Sequence, residues 1–178
     1  SVLNRRAFLA AKHIVALGPV MKERIGLNAG PKFDESKIKI IHNWENEEFI
    51  RPIKKEENWF SKQHGLVNQF TVLYSGNIGE FHDLETLIKA ATEFEDDDVG
   101  FLIIGEGDNK SNIVSLAEEL GVKGDTVEFL PYQPWDDLPY SLTSGDVSVV
   151  TVKEGFEGIC VSSKLYTAMA VGEPVLTI

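Results

Sequence analysis

Two short segments rich in glycine lie where a phosphate group could approach the backbone of this 178-residue chain. The first, SGNIG at residues 75–79, follows an apolar run and precedes a helical pattern. Glycine lets backbone amides come close to an anion, and the following helix adds the positive end of its dipole. The same glycines could serve only to turn the chain, and so could GEG at 105–107. The sequence leaves both interpretations open for each segment.

An acidic loop holds the side chains best suited to a sugar. Glu154 and Glu157 stand among glycines after a predicted strand and before a predicted helix. A carboxylate there can accept hydrogen bonds from sugar hydroxyls, while amides at the helix start can face a phosphate. The alternative is that both glutamates are simply solvated. Lys164 falls in the first helical turn, which is unfavourable for the helix dipole and therefore favours a role with an anion.

Other chemistries find little support. The four histidines show no paired spacing and there is one cysteine, Cys160, so no protein-held metal and no cofactor are predicted. The glycines at 76 and 79 lack the third glycine of a dinucleotide fingerprint. A net charge of −11 argues against nucleic-acid binding. No apolar run reaches the roughly 20 residues of a membrane span, and a cytoplasmic protein is expected.

The elements that must position these residues alternate regularly from residue 70. Strands are predicted at 70–74, 99–104, 127–130, 147–152 and from 174, where the chain soon ends. Helices are predicted from Asp83, from Ser111, at 134–142 and at 162–171. Their inner faces are expected to carry three apolar sets: Leu84, Leu87, Ile88 and Ala91; Ile113, Leu116, Ala117 and Leu120; and Leu165, Ala168 and Met169.

This alternation predicts an α/β, Rossmann-like parallel sheet with helices on both faces. Such sheets bind ligands beyond the carboxyl ends of their strands. Shorter strands at 13–17 and 37–42 flank a helix from Pro19 to near Gly26, and a charged run follows residue 51. We therefore expect the tail of one domain and a linker in 1–52, and a second domain in 53–178, with the protein truncated at both ends.

Several motifs together resemble one family. LIIGEG at 102–107, LAEELG at 116–121, VEFL at 127–130, SGDV at 144–147 and SKLYTAMAVGEPV at 163–175 are similar to the C-terminal domain of GT4-type (group 1) glycosyltransferases. YSGNIG at 74–79 looks like the branch that builds exopolysaccharides such as colanic acid and capsule. IIHN at 40–43 resembles the opening of the segment that joins the two domains of these enzymes.

The resemblance implies the C-terminal half of a GT-B glycosyltransferase that retains anomeric configuration and needs no bound metal. The donor would be a UDP- or GDP-sugar, and the acceptor a sugar or a lipid-linked saccharide, with peripheral membrane association compatible with that acceptor. Glu157 and Glu154 would be the catalytic carboxylates. Nucleotide-sugar contacts are expected from Gly76, Asn77, Gly79, Gly105, Leu130, Tyr132, Gly158, Ile159, Cys160, Val161, Lys164 and Thr167.

The sequence departs from the family pattern at two places. Members commonly carry an Arg and a Lys after the first strand, whereas Asn77 and EFH at 80–82 stand here. The family usually has two glutamates with seven residues between them. Here the second position is Thr167 and the first is Ile159, so Glu157 is the nearest acid.

Three functions remain open at this point. The first is transfer of a sugar from a nucleotide donor in polysaccharide synthesis, with this part of the enzyme inactive alone. The second is a UDP-sugar 2-epimerase on the same scaffold, and the third is a non-enzymatic Rossmann-like binding module.

Overall fold

Seven helices and seven strands are present among residues 2–94, 98–156 and 161–178, which a computed structural model of the chain describes. They fall into two units, one formed by 1–44 with 154–161 and the other by 45–153 with 162–178. The expected domains at 1–52 and 53–178 stay a prediction.

The first unit is a small α/β layer. It contains α1 (Val2–Ala10), β1 (Ile14–Ala16), α2 (Pro19–Ala29) and β2 (Ile38–Ile40), and the two strands pair in parallel. Proline is tolerated at the start of α2 because the first helical amides have no partner within the helix. The helix runs past Gly26, where its end was predicted, and is followed by Gly30 at φ 88°.

The second unit carries the main sheet. Its elements are α3 (Trp59–Gln63), β3 (Phe70–Ser75), α4 (Leu84–Ala91), β4 (Val99–Ile104), α5 (Lys110–Glu119), β5 (Val127–Leu130), α6 (Leu138–Leu142), β6 (Val147–Val150), α7 (Lys164–Val171) and β7 (Val175–Thr177). All five strands pair in parallel in the order β5-β4-β3-β6-β7. The predicted Rossmann-like α/β fold is thereby confirmed.

The sheet is covered on both faces because successive side chains of a strand point to opposite sides. Val72 and Tyr74 of β3 pack with α4 and α5 in one apolar cluster. Leu73, between them, packs with Phe60 of α3 in a second cluster. Central strands buried on both sides need near-continuous apolar sequence, which is what β3 and β4 have.

Some predicted details are wrong. The fifth helix starts at Lys110 with Asn109 before it, so Ser111 is not the cap. Leu120 follows the last turn of that helix and is 40% exposed. Met169 is 64% exposed, while α7 buries Ala168 and Val171. That helix is apolar on most sides, so its sequence does not identify the buried face.

Candidate functional site

Strand pairing continues past the carboxyl ends of β3 and β4. The amide of Gly76 donates to the Ile104 carbonyl at 2.9 Å, and the amide of Gly105 donates to the Leu130 carbonyl at 3.0 Å. Ile78 then donates to the Glu106 carbonyl at 2.8 Å. The amides of Gly76 and Gly105 are thus used within the sheet.

These glycines permit close approach of neighbouring backbones. A Cβ built on Gly105, at φ 150°, would collide with the carbonyl oxygen of Gly76. A Cβ on Gly107, at φ 156°, would meet the backbone of Ile78 at 2.6 Å and 2.8 Å. The sequence left two interpretations open for these glycines, contact with a phosphate and a purely structural role in the chain. The geometry gives direct support to the structural role, because the glycines let neighbouring backbones pack closely.

A cleft of about 260 Å³ opens beyond these strand ends. The sheet order places β4 on one side of β3 and β6 on the other, so the crossover direction reverses at this point. In open α/β sheets the crevice at such a reversal is where ligands bind. The cleft is lined by Ser75, Gly76, Asn77, Ile104, Tyr132, Gln133, Leu138, Ser141, Leu142, Ser163, Lys164 and Thr167.

Among the described residues that line this cleft, Lys164 carries the one ammonium group. It is the first residue of α7, and its Nζ lies 5.1 Å from the centroid of the Tyr74 ring. The same Nζ is 3.3 Å from Nε2 of His82. Gly76 leaves room for the lysine, because a Cβ there would overlap with Cε of Lys164. A helix N-terminus and a lysine together favour an anion.

The surroundings shift the ionisation of two neighbours. Burial lowers the pKa of His82, the Lys164 ammonium lowers it further, and the Gly79 carbonyl opposes both. Burial, followed by the proximity of Tyr132, raises the pKa of Tyr74, whose hydroxyl donates to the Asn77 carbonyl at 2.6 Å. The site therefore presents a neutral phenol, a neutral imidazole and a lysine at neutral pH.

The far side of the cleft is formed by the segment after β5. The Tyr132 ring is 52% exposed, and its hydroxyl donates to the Glu106 carbonyl at 3.3 Å. Thr167 lies near the other wall, where its hydroxyl donates to the Lys164 carbonyl at 2.9 Å. An aromatic ring and a cationic group in the same cleft suit a ligand that has both a ring and an anionic part.

The predicted site residues divide into four sets. Gly76, Asn77, Tyr132, Lys164 and Thr167 line the cleft together. Gly79, Gly105 and Leu130 belong to the adjoining strand ends and loops.

Glu154 and Val161 belong to the other unit. Glu157, Gly158, Ile159 and Cys160 lie outside the described residues. The assignment of roles to all these residues stays a prediction.

Sequence reasoning missed His82 as a member of this region. In the sequence it is one of four histidines without paired spacing, and it belongs to EFH at 80–82, which stands where family members carry basic residues. Its actual neighbour, Lys164, is 82 residues away. Nothing local in the sequence indicates that contact.

A second cavity of about 260 Å³ lies at the opposite edge of the sheet. It adjoins the amino ends of β3, β4 and β5, around Gln69, Thr126 and Glu128. Parallel sheets present their loops and helix N-termini at the carboxyl edge. We therefore place the functional site at the cleft beside Lys164.

Metal-binding clusters and membrane-spanning helices are both absent from the described residues. Among residues 2–94, 98–156 and 161–178, no three His, Cys, Asp or Glu side chains come together as a metal site. Within those same ranges, no helix has both the length and the apolar character needed to span a bilayer.

Comparison with known proteins decides the family. The model for the family described as glycosyl transferases group 1 matches residues 55–178. The chain belongs to this family. The resemblance to group 1 glycosyltransferases seen in the sequence is thus confirmed.

Two curated group 1 relatives show the extent of the likeness. The putative colanic acid biosynthesis glycosyl transferase WcaI of Escherichia coli K12 is 38% identical over 105 residues, which are 59% of this chain and 25% of that protein. The probable glycosyltransferase WbjE of Pseudomonas aeruginosa is 25% identical over 178 residues, covering 96% of this chain and 42% of its own length. The chain thus spans less than half of either relative.

Solved structures confirm the fold. The Anabaena protein HepE in complex with UDP has a TM-score of 0.80 at 18% identity, with 99% of this chain and 49% of that chain covered. Sucrose-phosphate synthase from Thermosynechococcus elongatus has a TM-score of 0.74 at 20% identity, covering 99% of this chain and 43% of its own. At these identities the likeness concerns architecture.

Proposed function

We propose that the cleft beside α7 binds the diphosphate of a UDP- or GDP-sugar in a retaining glycosyltransferase that acts on a polysaccharide or lipid-linked acceptor. The observation that carries this proposal is the position of Lys164. It is the first residue of α7, lies opposite Gly76, and lines the cleft where the sheet order reverses.

The physical argument starts from charge. A diphosphate with two negative charges needs positive partners that are already in place, and a helix N-terminus supplies oriented amides. The Lys164 ammonium adds a charge at the same end of the helix, where a lysine otherwise destabilises the helix. A diphosphate is therefore the part of the donor that we place at α7.

Another part of the cleft lining suits a nucleobase. The exposed Tyr132 ring offers a face for stacking, and Gln133 lies beside it with donor and acceptor groups. A cleft of about 260 Å³ is slightly below the roughly 300 Å³ at which small-molecule sites begin. We accordingly assign it only part of the donor, the nucleotide diphosphate.

The names of relatives support this class of reaction. WcaI is named for colanic acid biosynthesis. HepE has been crystallised with UDP and with UDP-glucose. By analogy, transfer into an exopolysaccharide with retention at the anomeric carbon is the reaction that we propose for the whole protein.

Amide NMR spectra of the chain during titration with UDP-glucose and, separately, GDP-mannose test donor binding. We expect saturable shifts at Gly76, Gly105, Leu130 and Lys164 with one of the two nucleotides. Amides of Gly121 and Gly124, near the start of β5 at the other edge of the sheet, serve as internal controls. If both nucleotides leave all four site amides unchanged, the proposed function is wrong.

The type of reaction requires a separate assay. Full-length protein is incubated with radiolabelled nucleotide sugar and a lipid-linked acceptor, and the label is followed into the lipid. Conversion of the free nucleotide sugar into its 2-epimer, without transfer, would instead establish the epimerase.

A further inference from the structure

Two basic side chains meet behind the cleft. Nζ of Lys164 and Nε2 of His82 are 3.3 Å apart. Two protonated bases would repel each other at this distance. The contact is favourable when the ammonium donates to the lone pair of Nε2, which leaves the imidazole neutral with its proton on Nδ1.

The surroundings hold this arrangement in place. The Tyr74 ring lies edge-on to His82, with the ring centroids 6.1 Å apart, and Lys164 lies over its face. Nδ1 of His82 is buried and lies close to Gly79. The imidazole thus occupies a confined position next to the lysine.

Among the described residues, two other charged side chains adjoin the loop of His82, and both have partners elsewhere or contact that loop through backbone. The carboxylate of Asp83, at the start of α4, accepts hydrogen bonds from the amide and hydroxyl of Thr86. Lys153, after β6, contacts the adjoining loop through its backbone amide, which donates to the Phe81 carbonyl. Burial and Lys164 both lower the pKa of His82.

We propose that binding of an anionic diphosphate at Lys164 is coupled to uptake of one proton by Nε2 of His82. This inference rests on the proposed function and deepens it, since it names the group that makes donor binding depend on pH. A phosphate oxygen competes with Nε2 for the N–H donors of the Lys164 ammonium and places negative charge beside the imidazole. A proton from solvent then forms an N–H bond at Nε2 while its O–H bond in hydronium breaks, and no bond between heavy atoms changes.

The charges match in the complex. The free pair carries one positive charge, whereas the pair with a protonated His82 carries two. The diphosphate of a nucleotide sugar carries two negative charges because each phosphate is a diester. Lys164 with protonated His82 thus neutralises the diphosphate at the end of α7.

The direction of the pH effect follows from linkage. An anion nearby raises the pKa of His82 above its value in the free protein, so the complex binds more protons than the free protein. Affinity therefore increases as the pH falls through the interval between the two pKa values, by up to about tenfold per pH unit. Above that interval the affinity becomes constant.

UDP-glucose is the appropriate probe for this measurement. Both of its phosphates are diesters, so the ligand does not titrate near neutrality. UDP has a terminal phosphate that binds a proton near pH ~6, as phosphate monoesters do, and its own titration would obscure that of His82. GDP-mannose has the same advantage and is used if the NMR titration favours it.

Calorimetric titration of the wild-type chain and of His82→Asn, between pH ~6 and ~8, tests the coupling through proton linkage. Buffers of different ionisation enthalpy report the number of protons taken up. We expect proton uptake and about a tenfold loss of affinity across this range for wild type, and neither for His82→Asn. His13→Asn, which removes an exposed histidine in the other unit, is the matched control and should behave as wild type.

The outcomes separate this inference from the function on which it rests. Equal pH dependence in wild type and His82→Asn, with binding intact, overturns the proton coupling and leaves the donor site standing. No binding of either nucleotide sugar overturns both.

A measurement on wild type alone avoids dependence on the folding of the variant. The ring nitrogens of His82 are followed by ¹⁵N NMR with and without UDP-glucose. An unchanged titration midpoint in the complex overturns the coupling.

Discussion

Gly105 lies directly against the carbonyl oxygen of Gly76, at a distance that excludes a Cβ on the later residue. The contact joins the ends of the two central strands at the edge where the cleft opens. Both glycine segments of the sequence thus meet in one structure. Their spacing along the chain, 29 residues by number, gives no sign of it.

Gly105→Ala should therefore destabilise the protein strongly. The substitution adds a clash with backbone to a φ of 150° that disfavours side chains. We expect a loss of about 3 kcal/mol in the free energy of unfolding. Urea denaturation measures it as a lower midpoint at constant slope.

Gly121→Ala is the control for that experiment. Gly121 has φ 73°, yet a Cβ there meets nothing within 4 Å. Only the conformational cost remains, about 1 kcal/mol. An equal loss in the two variants would show that the contact with Gly76 is unimportant.

Lys164→Gln should weaken donor binding while the fold persists. A charge-assisted hydrogen bond to a phosphate contributes about 1.5–3 kcal/mol, which corresponds to roughly 10–100-fold in affinity. Calorimetry with the nucleotide sugar that binds wild type measures the change. Lys123→Gln is the matched control, because Lys123 pairs with Glu118 on the surface, and it should bind as wild type does.

Most of the main sheet was predictable because its signals are local. Asp83 before Leu84, followed by apolar residues at helical spacing, predicted a helix whose start and buried face are those of α4. Val99–Ile104 is a continuous apolar run and forms β4 with the same limits. Local pattern is enough where one helix face is apolar or a strand is buried on both sides.

The site was predictable only in outline. The sequence located the loops after the strands, and Lys164 was selected because a lysine opposes the helix dipole. The Gly76 amide contacts Ile104, and Lys164 contacts His82. Both are contacts between distant parts of the chain. Such pairings depend on sheet order and register, which periodicity does not specify.

Donor binding should be independent of metal ions. We propose that α7 and Lys164 supply the positive charge that a metal supplies in other transferases. Calorimetry with nucleotide sugar in excess EDTA, and again in excess Mg²⁺, should give affinities that agree within about twofold, a difference of 0.4 kcal/mol or so. Loss of binding in EDTA that Mg²⁺ restores would show that the anion site needs a metal.

Glu173→Gln should stabilise the protein at neutral pH. Burial raises the pKa of Glu173, and the charge of Asp146 raises it further, with Lys55 opposing. A carboxyl whose pKa is raised on folding destabilises the folded state once it ionises, so stability is lost as the pH rises through the folded pKa. The variant removes that cost. Because the carboxyl is only half-buried, we expect the free energy of unfolding to increase by less than about 1 kcal/mol.

The pH dependence of that gain is the decisive measurement. Below the ordinary pKa of a glutamate, about 4.3, wild-type Glu173 is protonated in both states and the two proteins should be equally stable. The difference in unfolding midpoint should then grow with pH and level off above the folded pKa. Asp146 must be left unchanged in this comparison, since its carboxylate accepts from the Thr71 amide at 2.7 Å and pairs with Lys55. A gain that stays constant down to acidic pH would attribute the effect to packing of the amide and contradict the electrostatic account.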